Sequence, residues 1–324
     1  MKTVLLGKNG PQVSRLGLGC MAMSGMYGES EESESIATIH AALDAGINLL
    51  DTGDFYGMGH NEMLIGRAIA GRRDRLLLSV KFGAMRAPNG AWVGIDGRPQ
   101  AVKNFLAYTL QRLRTDHIDI YRLSRVDPVV PIEDTVGAIA EMAQAGYVRF
   151  IGLSEAGAET IRRAAATHPI CDLQIEYSLA SRGIESAILP VARELGIGIT
   201  AYGLLSRGLL SGSRLDRKGD FRKHLPRFTG ENYERNRQLA AELAQLAGEK
   251  DATPAKIAIA WALTKGEDII PLVGSRTRKQ LTEALGASQV HLTRDDIERI
   301  ENIGAQIAGT RYDPAQMRML DSEK

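Results

Sequence analysis

Asn48-Leu49-Leu50-Asp51-Thr52-Gly53-Asp54-Phe55-Tyr56-Gly57 passes from apolar to polar within a few residues, and Leu76-Leu77-Leu78-Ser79-Val80-Lys81-Phe82 repeats the texture further on. Each apolar run is of strand length and nearly continuous, as expected of a strand covered on both faces in a parallel sheet. Similar runs occur at 15–20, 118–123, 150–154, 172–177, 198–202 and 269–274. The segments between them have helical period. Ser30 is placed to cap a helix with Glu31 and Glu32 in its first turn. Ile36, Ile39, Leu43 and Ile47 share its apolar face, and Gly46 ends it. The segment 133–145 sets Val136, Ile139 and Met142 on one face and stops at Gly146. Thr253 caps a helix that opens on Pro254. Further helices are expected to begin near Asn61, Gln100, Gly157, Gly183 and Thr277.

Eight strands alternating with helices predict an α/β fold, a (β/α)8 barrel, with residues 1–324 forming one domain. The order of elements carries this reading. Thr3 to Leu6, a Lys8-Asn9-Gly10 turn and Val13 add an N-terminal β-hairpin expected to plug the barrel bottom. Segments 83–99 and 206–232 and the tail 304–324 read as long loops, which in a compact domain are usually functional or disordered.

Composition narrows the function. The chain has 324 residues, 40 basic against 39 acidic, for a net charge of +1. That balance argues against a nucleic-acid or anionic-membrane surface. No apolar run approaches the ~18 residues of a membrane span, and the apolar stretch at the N-terminus is too short for a signal peptide. The two cysteines, Cys20 and Cys171, make no disulfide framework and suit a reducing compartment. A cytoplasmic protein is expected. The histidines show no His-x-x-x-His pair and there is no Cys-x-x-Cys, so no metal site is expected. No Gly-x-Ser-x-Gly elbow is present.

In such a barrel, active groups stand at the C-terminal ends of strands. Asp51 and Tyr56 follow the second strand, Lys81 ends the third, and Ser124 and Arg125 end the fourth. A tyrosine hydroxyl is a poor acid near neutrality. A lysine cation beside it favours the phenolate and eases proton donation to a developing alkoxide. Asp51 would hold that lysine in place and charged.

At these residues the chain resembles the aldo-keto reductases. Asp51-Thr52-Gly53-Asp54-Phe55-Tyr56-Gly57 with Gly59-His60-Asn61-Glu62 is similar to the family signature, and Lys81-Phe82-Gly83 to its lysine motif. Ile151-Gly152-Leu153-Ser154-Glu155, Gln174-Ile175-Glu176-Tyr177-Ser178, the run from Ala201 to Gly208 and Pro271-Leu272-Val273-Gly274-Ser275-Arg276 follow in the family's order. The opening Gly19-Cys20-Met21-Ala22-Met23-Ser24 is nearest its bacterial and plant branch. The resemblance implies a small-molecule carbonyl substrate, NADPH as cofactor, and reduction of aldehydes or ketones with Tyr56 as proton donor. One position departs. Ser124 stands where the family usually has a histidine that orients the carbonyl, and a serine donates one shorter hydrogen bond and carries no charge. His117 lies before strand four, near the barrel bottom, and His60 near the start of helix two. Ser124 favours a rival reading, a cofactor-binding regulatory or sensor subunit with little turnover. Asp51, Tyr56 and Lys81 together favour the enzyme.

Gly17-Leu18-Gly19-Cys20-Met21-Ala22 fits a G-x-G-x-x-G/A fingerprint, but the next helix starts only near Ser30, so the match is fortuitous. The better phosphate site is Gly274-Ser275-Arg276 at a helix N-terminus, where a glycine lets the backbone approach and free N–H groups accept an anion. Arg276, with Arg278 and Lys279 nearby, suits a 2′-phosphate and hence NADP. The resemblance places Gln280 and Glu283 at the adenosine, Tyr202 under the nicotinamide, Ser154 and Gln174 at the carboxamide, and Ser206, Arg207 and Gly208 over the pyrophosphate. It adds Met21, Asp51 and Leu205 to the cofactor contacts. Tyr27, Trp92 and the C-terminal tail are candidate substrate walls.

Overall fold

The structure is a computed structural model that describes residues 1–213, 215 and 220–324. A hairpin of β1 (Thr3–Leu5) and β2 (Gln12–Ser14) precedes β3 (Gly17–Gly19), α1 (Glu32–Asp44), β4 (Leu49–Gly53), α2 (His60–Ala68) and β5 (Leu77–Phe82). A second hairpin, β6 (Ala84–Arg86) and β7 (Trp92–Ile95), leads to α3 (Pro99–Leu113), β8 (Ile118–Leu123), α4 (Ile132–Gln144), β9 (Val148–Ser154) and α5 (Ala158–Thr167). Then come β10 (Ile170–Glu176), α6 (Ile188–Leu195), β11 (Gly198–Tyr202), α7 (Gly230–Glu249), α8 (Pro254–Thr264) and β12 (Ile269–Gly274). The chain ends with α9 (Arg278–Leu285), α10 (Arg294–Ala305) and α11 (Pro314–Arg318).

Eight of these strands close into a parallel barrel in the order β3-β4-β5-β8-β9-β10-β11-β12, with β12 paired back onto β3. Helices cover the outside, so the strands are buried on both faces and read as continuous apolar runs. Ile39 and Leu43 of α1 and Val136 and Ile139 of α4 turn into this shared core. The N-terminal hairpin closes the bottom: Val4, Leu6 and Val13 pack with Leu49, Ile120, Cys171, Ile270 and Leu272, beneath the polar interior. The mouth is therefore the open end. No helix among the described residues is long and apolar enough to cross a membrane.

Several local expectations are corrected. Ser30 does not cap α1; its hydroxyl donates to the Met23 carbonyl at 2.7 Å, and Glu31 holds the cap position without a side-chain bond. Near Gly183 there is only a single tight turn, and α6 starts at Ile188, once the chain has left the Tyr177 loop. Segment 83–99 is not an irregular loop, because β6 and β7 pair antiparallel within it. Segment 206–232 holds short 3-10 turns and the first residues of α7, and positions 214 and 216–219 lie outside the described residues. The tail carries α11. The sequence reading also passed over α7 and α10. The polar start of α7 hides its period, although Thr293 and Asp296 form a reciprocal capping box that signals α10. Thr253 caps α8 as expected, its hydroxyl accepting from Lys256 N.

Candidate active site

The parallel register of β4 and β5 aligns Asp51 with Ser79 and Gly53 with Lys81, so the acid and the lysine rise side by side. Lys81 Nζ donates to Asp51 Oδ1 at 2.6 Å, with both side chains buried. Asp51 Oδ2 accepts from Ser79 Oγ at 2.9 Å and from Gln174 Nε2 at 2.6 Å. Burial pulls the Lys81 ammonium below the usual lysine range, against the opposing pull of Asp51. Its proton is easier to release than an exposed lysine's.

Tyr56 opens a tight turn just beyond β4, in which Gly57 and Met58 both adopt left-handed backbone conformations. Lys81 Nζ lies 5.2 Å from the centre of its ring. The expected lowering of the tyrosine is not what the structure gives. Burial, followed by the Asp51 charge, pushes the phenol well above its usual range, and Arg125 opposes this only in part. A phenol held protonated is the right form for an acid that donates in reduction.

The rest of the signature builds the frame. Asn61 accepts from Thr52 Oγ1 at 2.7 Å and donates to the Cys20 carbonyl at 2.9 Å, tying the first loop to β4. Glu62 accepts from Thr109 and Arg112 of α3. His60 bonds Ser24 and Glu32, and His117 bonds Asp116. Neither histidine substitutes for the one absent at 124.

Ser124 and Ser154 end β8 and β9 at the same mouth. Both are buried, and neither hydroxyl has a hydrogen-bond partner among the described residues. An unpaired buried hydroxyl is costly, so two of them at one opening point to groups that arrive from outside the chain. Gln174 spends its amide N–H on Asp51, and its carbonyl oxygen accepts no bond among the described residues, which leaves it for an incoming amide. Tyr202 is half-buried at the end of β11, its hydroxyl donating to Glu155 Oε1 at 2.7 Å. Ser206 and Arg207 both take left-handed φ, 46° and 57°, as does Glu155 at 52°. Non-glycine residues in that region cost about 1–3 kcal/mol each and gather at functional sites. A side chain at Gly274 would meet nothing within 4 Å, so the backbone there is open to a ligand. Ser275 is buried beside it. Arg276 Nη1 donates to the Tyr27 carbonyl at 3.0 Å, with those of Gly28 and Glu29 at 3.4 Å, which parks the guanidinium at the start of α9. Arg278 is engaged by Glu34, so it adds less basicity than the sequence suggested. Leu205 precedes the Ser206–Gly208 turn, Gln280 and Glu283 belong to α9 with Gln280 Oε1 accepting from Arg276 N at 3.0 Å, and Met21 begins the turn after β3.

The chain that carries this cluster is similar to known proteins along most of its length. The Aldo/keto reductase family model matches residues 15–305. A "Probable aldo-keto reductase 1" of Glycine max is 40% identical over 321 residues, covering 96% of this chain and 92% of the relative. The chain belongs to the aldo/keto reductase family. Among solved structures, a glycerol dehydrogenase from Gluconobacter oxydans superposes with a TM-score of 0.85 at 30% identity, covering 96% of this chain and 98% of that one. An aldo-keto reductase from Bacillus halodurans, in its holo form, gives 0.77 at 27% identity, covering 97% and 99%. The protein is an oxidoreductase that reduces carbonyl compounds.

The structure also brings to this reductase's mouth residues that the sequence did not single out. Arg311 makes a two-pronged ion pair with Glu155 and reaches Glu176 at 3.5 Å. Burial alone would raise Glu155, but the Arg311 bonds and charge win and hold it down at about 2. The tail is thereby pinned over the barrel. Tyr312 stacks under the Arg207 guanidinium at 4.6 Å. Tyr27 and Tyr312 both lie close enough to Tyr56 to influence it electrostatically. Trp92 is exposed on β7, with the Arg86 guanidinium over its ring at 5.6 Å. No local signal in the sequence reveals Arg311, because its partner lies far along the chain.

Asp54, next to the catalytic turn, has one carboxylate oxygen on Gly83 N at 3.3 Å and the other without a partner among the described residues. Burial, then the Glu62 charge, push it up to about 7. A carboxyl raised on folding adds stability that is complete below about pH 3.8 and is lost as pH rises through about 7. Asp54→Asn is therefore expected to lessen the fall of thermal midpoint between about pH 5 and 7. Midpoints that fall in parallel in both proteins would contradict this placement.

Proposed function

We propose that this reductase is an NADPH-dependent aldehyde or ketone reductase in which Tyr56 donates the proton. The supporting observation is the buried Asp51–Lys81 pair beside a protonated Tyr56 at the barrel mouth. Bound NADPH supplies the hydride. Ser154 Oγ and Gln174 Oε1 would hold the carboxamide, and Tyr202 would back the nicotinamide ring. Ser206, Arg207 and Gly208 would cover the pyrophosphate, and Gly274, Ser275, Arg276, Gln280 and Glu283 would take the adenosine end. Tyr56 gives its proton to the carbonyl oxygen as negative charge develops there and regains one from solvent after the alcohol leaves, while Lys81, held by Asp51, keeps a positive charge beside the phenol. Ser124 Oγ, buried just beyond β8 and without a partner among the described residues, would serve as a second donor. With serine in place of a ring there, the site favours bulkier or activated carbonyls, such as dicarbonyls and cyclic ketones.

The test is turnover of NADPH across a carbonyl panel, together with fluorescence titration of both cofactors. A fork-shaped charge-assisted contact to a 2′-phosphate is worth roughly 1.5–3 kcal/mol. NADPH is therefore expected to bind about tenfold or more tightly than NADH. Arg276→Ala also loosens the loop carrying Tyr27, which weakens both cofactors, so the ratio is the readout. Equal affinities in the wild type, or an unchanged ratio in Arg276→Ala, would refute the phosphate assignment.

A further inference from the structure

The barrel interior holds a second ion pair beside the Asp51–Lys81 pair. Arg122 Nη2 lies 3.0 Å from Asp172 Oδ1, and neither side chain reaches solvent. The two come from β8 and β10, which flank β9, so the contact bridges over β9 inside the barrel. Taking two charges out of water is offset only when their remaining donors and acceptors are also bonded. Here Arg122 Nη2 donates to Ser79 Oγ at 3.0 Å and Nη1 to Thr200 Oγ1 at 3.2 Å, while Thr200 donates to Asp172 Oδ2 at 2.7 Å, so both ends of the guanidinium are bonded and only its Nε lacks a partner among the described residues. A Cβ at Gly152 would lie 2.4 Å from Asp172 Oδ1 and 2.8 Å from Arg122 Nε. β9 thus gives up a side chain to make room for the pair.

Ser79 joins this pair to the active site. Its oxygen accepts from Arg122, which turns its proton toward Asp51 Oδ2 at 2.9 Å. We infer that the Arg122–Asp172 pair, acting through Ser79, positions Asp51 and balances the charge around the Lys81–Tyr56 proton donor. Arg122, Asp172 and Ser79 are positioning residues; they do not touch the reacting atoms. The inference rests on Tyr56 being the donor. Asp51 from β4, Lys81 from β5, Arg122 from β8 and Asp172 from β10 are linked by these bonds, and the formal charges of the four sum to zero. Arg125 stands above them at the mouth, with the Tyr27 and Tyr312 hydroxyls. The thiol of Cys20 adjoins Asp51 and Lys81, and that of Cys171 approaches Asp172 at 3.6 Å.

The test is the alkaline limb of kcat/KM for reduction, where Tyr56 must keep its proton. Asp172→Asn leaves a guanidinium that cannot deprotonate, so the lumen gains an unbalanced positive charge. Positive charge favours the phenolate, and the limb is expected about one pH unit lower. Arg122→Met combined with Asp172→Asn restores neutrality and is expected to bring the limb back toward wild type. Ser79→Ala, which keeps every charge, is expected to lower kcat severalfold while the carbonyl KM and the NADPH dissociation constant hold. A purely structural pair would lower the thermal midpoint without moving the limb. An unmoved limb in a folded Asp172→Asn overturns the inference. Should that variant fail to fold, wild-type kcat in Ser79→Ala overturns it. Tyr56→Phe run alongside separates the failures. If it turns over normally, the donor assignment and the inference both fall; if it is inactive while the limb of Asp172→Asn stays put, only the role of the pair is lost.

Discussion

Tyr56→Phe is expected to lower kcat by roughly 10²-fold or more while leaving NADPH binding nearly intact, the scale set by loss of a positioned acid. The phenol is buried and firmly protonated, next to a cluster whose other charges are already paired. Removing its oxygen leaves the developing alkoxide without its main donor, and no other acid replaces it, since His60 and His117 are held elsewhere. Lys81→Met should cause a loss of the same order, because it also leaves Asp51 as a buried carboxylate without its cation. The folded state of Lys81→Met is checked by its thermal midpoint, and that of Tyr56→Phe by NADPH titration. Near-wild-type turnover by Tyr56→Phe would remove the mechanism.

Ser124 should govern rate and substrate range. Its hydroxyl is buried and lacks a partner among the described residues, so it is available to a carbonyl oxygen or to a bridging water. A preorganised donor at a developing oxyanion is worth ~2.7–4 kcal/mol, or about 10²–10³ in rate. The serine supplies part of that. Ser124→Ala is expected to lower kcat further, by about tenfold, and Ser124→His to raise kcat on small aldehydes by a similar factor. The histidine variant should in turn lose preference for bulky carbonyls, because the ring fills the space the serine leaves. If Ser124→Ala matches wild type on every carbonyl of the panel, the residue only fills space.

The sequence by itself determined the barrel. Alternation of buried apolar runs with helical period is a local property, and only a closed parallel sheet buries eight such runs at once. It also placed Asp51, Tyr56, Lys81 and Ser124 at or just beyond strand ends, while the resemblance to the family supplied Ser154, Gln174 and Tyr202. Capping chemistry was legible where the side chain had one option, as at Thr253, and misleading at Ser30, where a carbonyl of a neighbouring loop competed for the hydroxyl. Only the tertiary structure decided the electrostatics. Whether Lys81 lowers Tyr56 depends on burial and on the 5.2 Å geometry, and burial prevailed. Whether Arg276 and Arg278 are both available to a phosphate depends on what the loop after β3 and Glu34 of α1 offer them. The Arg311–Glu155 clasp and the Arg122–Asp172 pair join residues from distant parts of the chain. Sequence spacing has no period that marks such partners. They are found only when the barrel closes, because desolvation makes each buried charge depend on a neighbour supplied by another strand or by the tail.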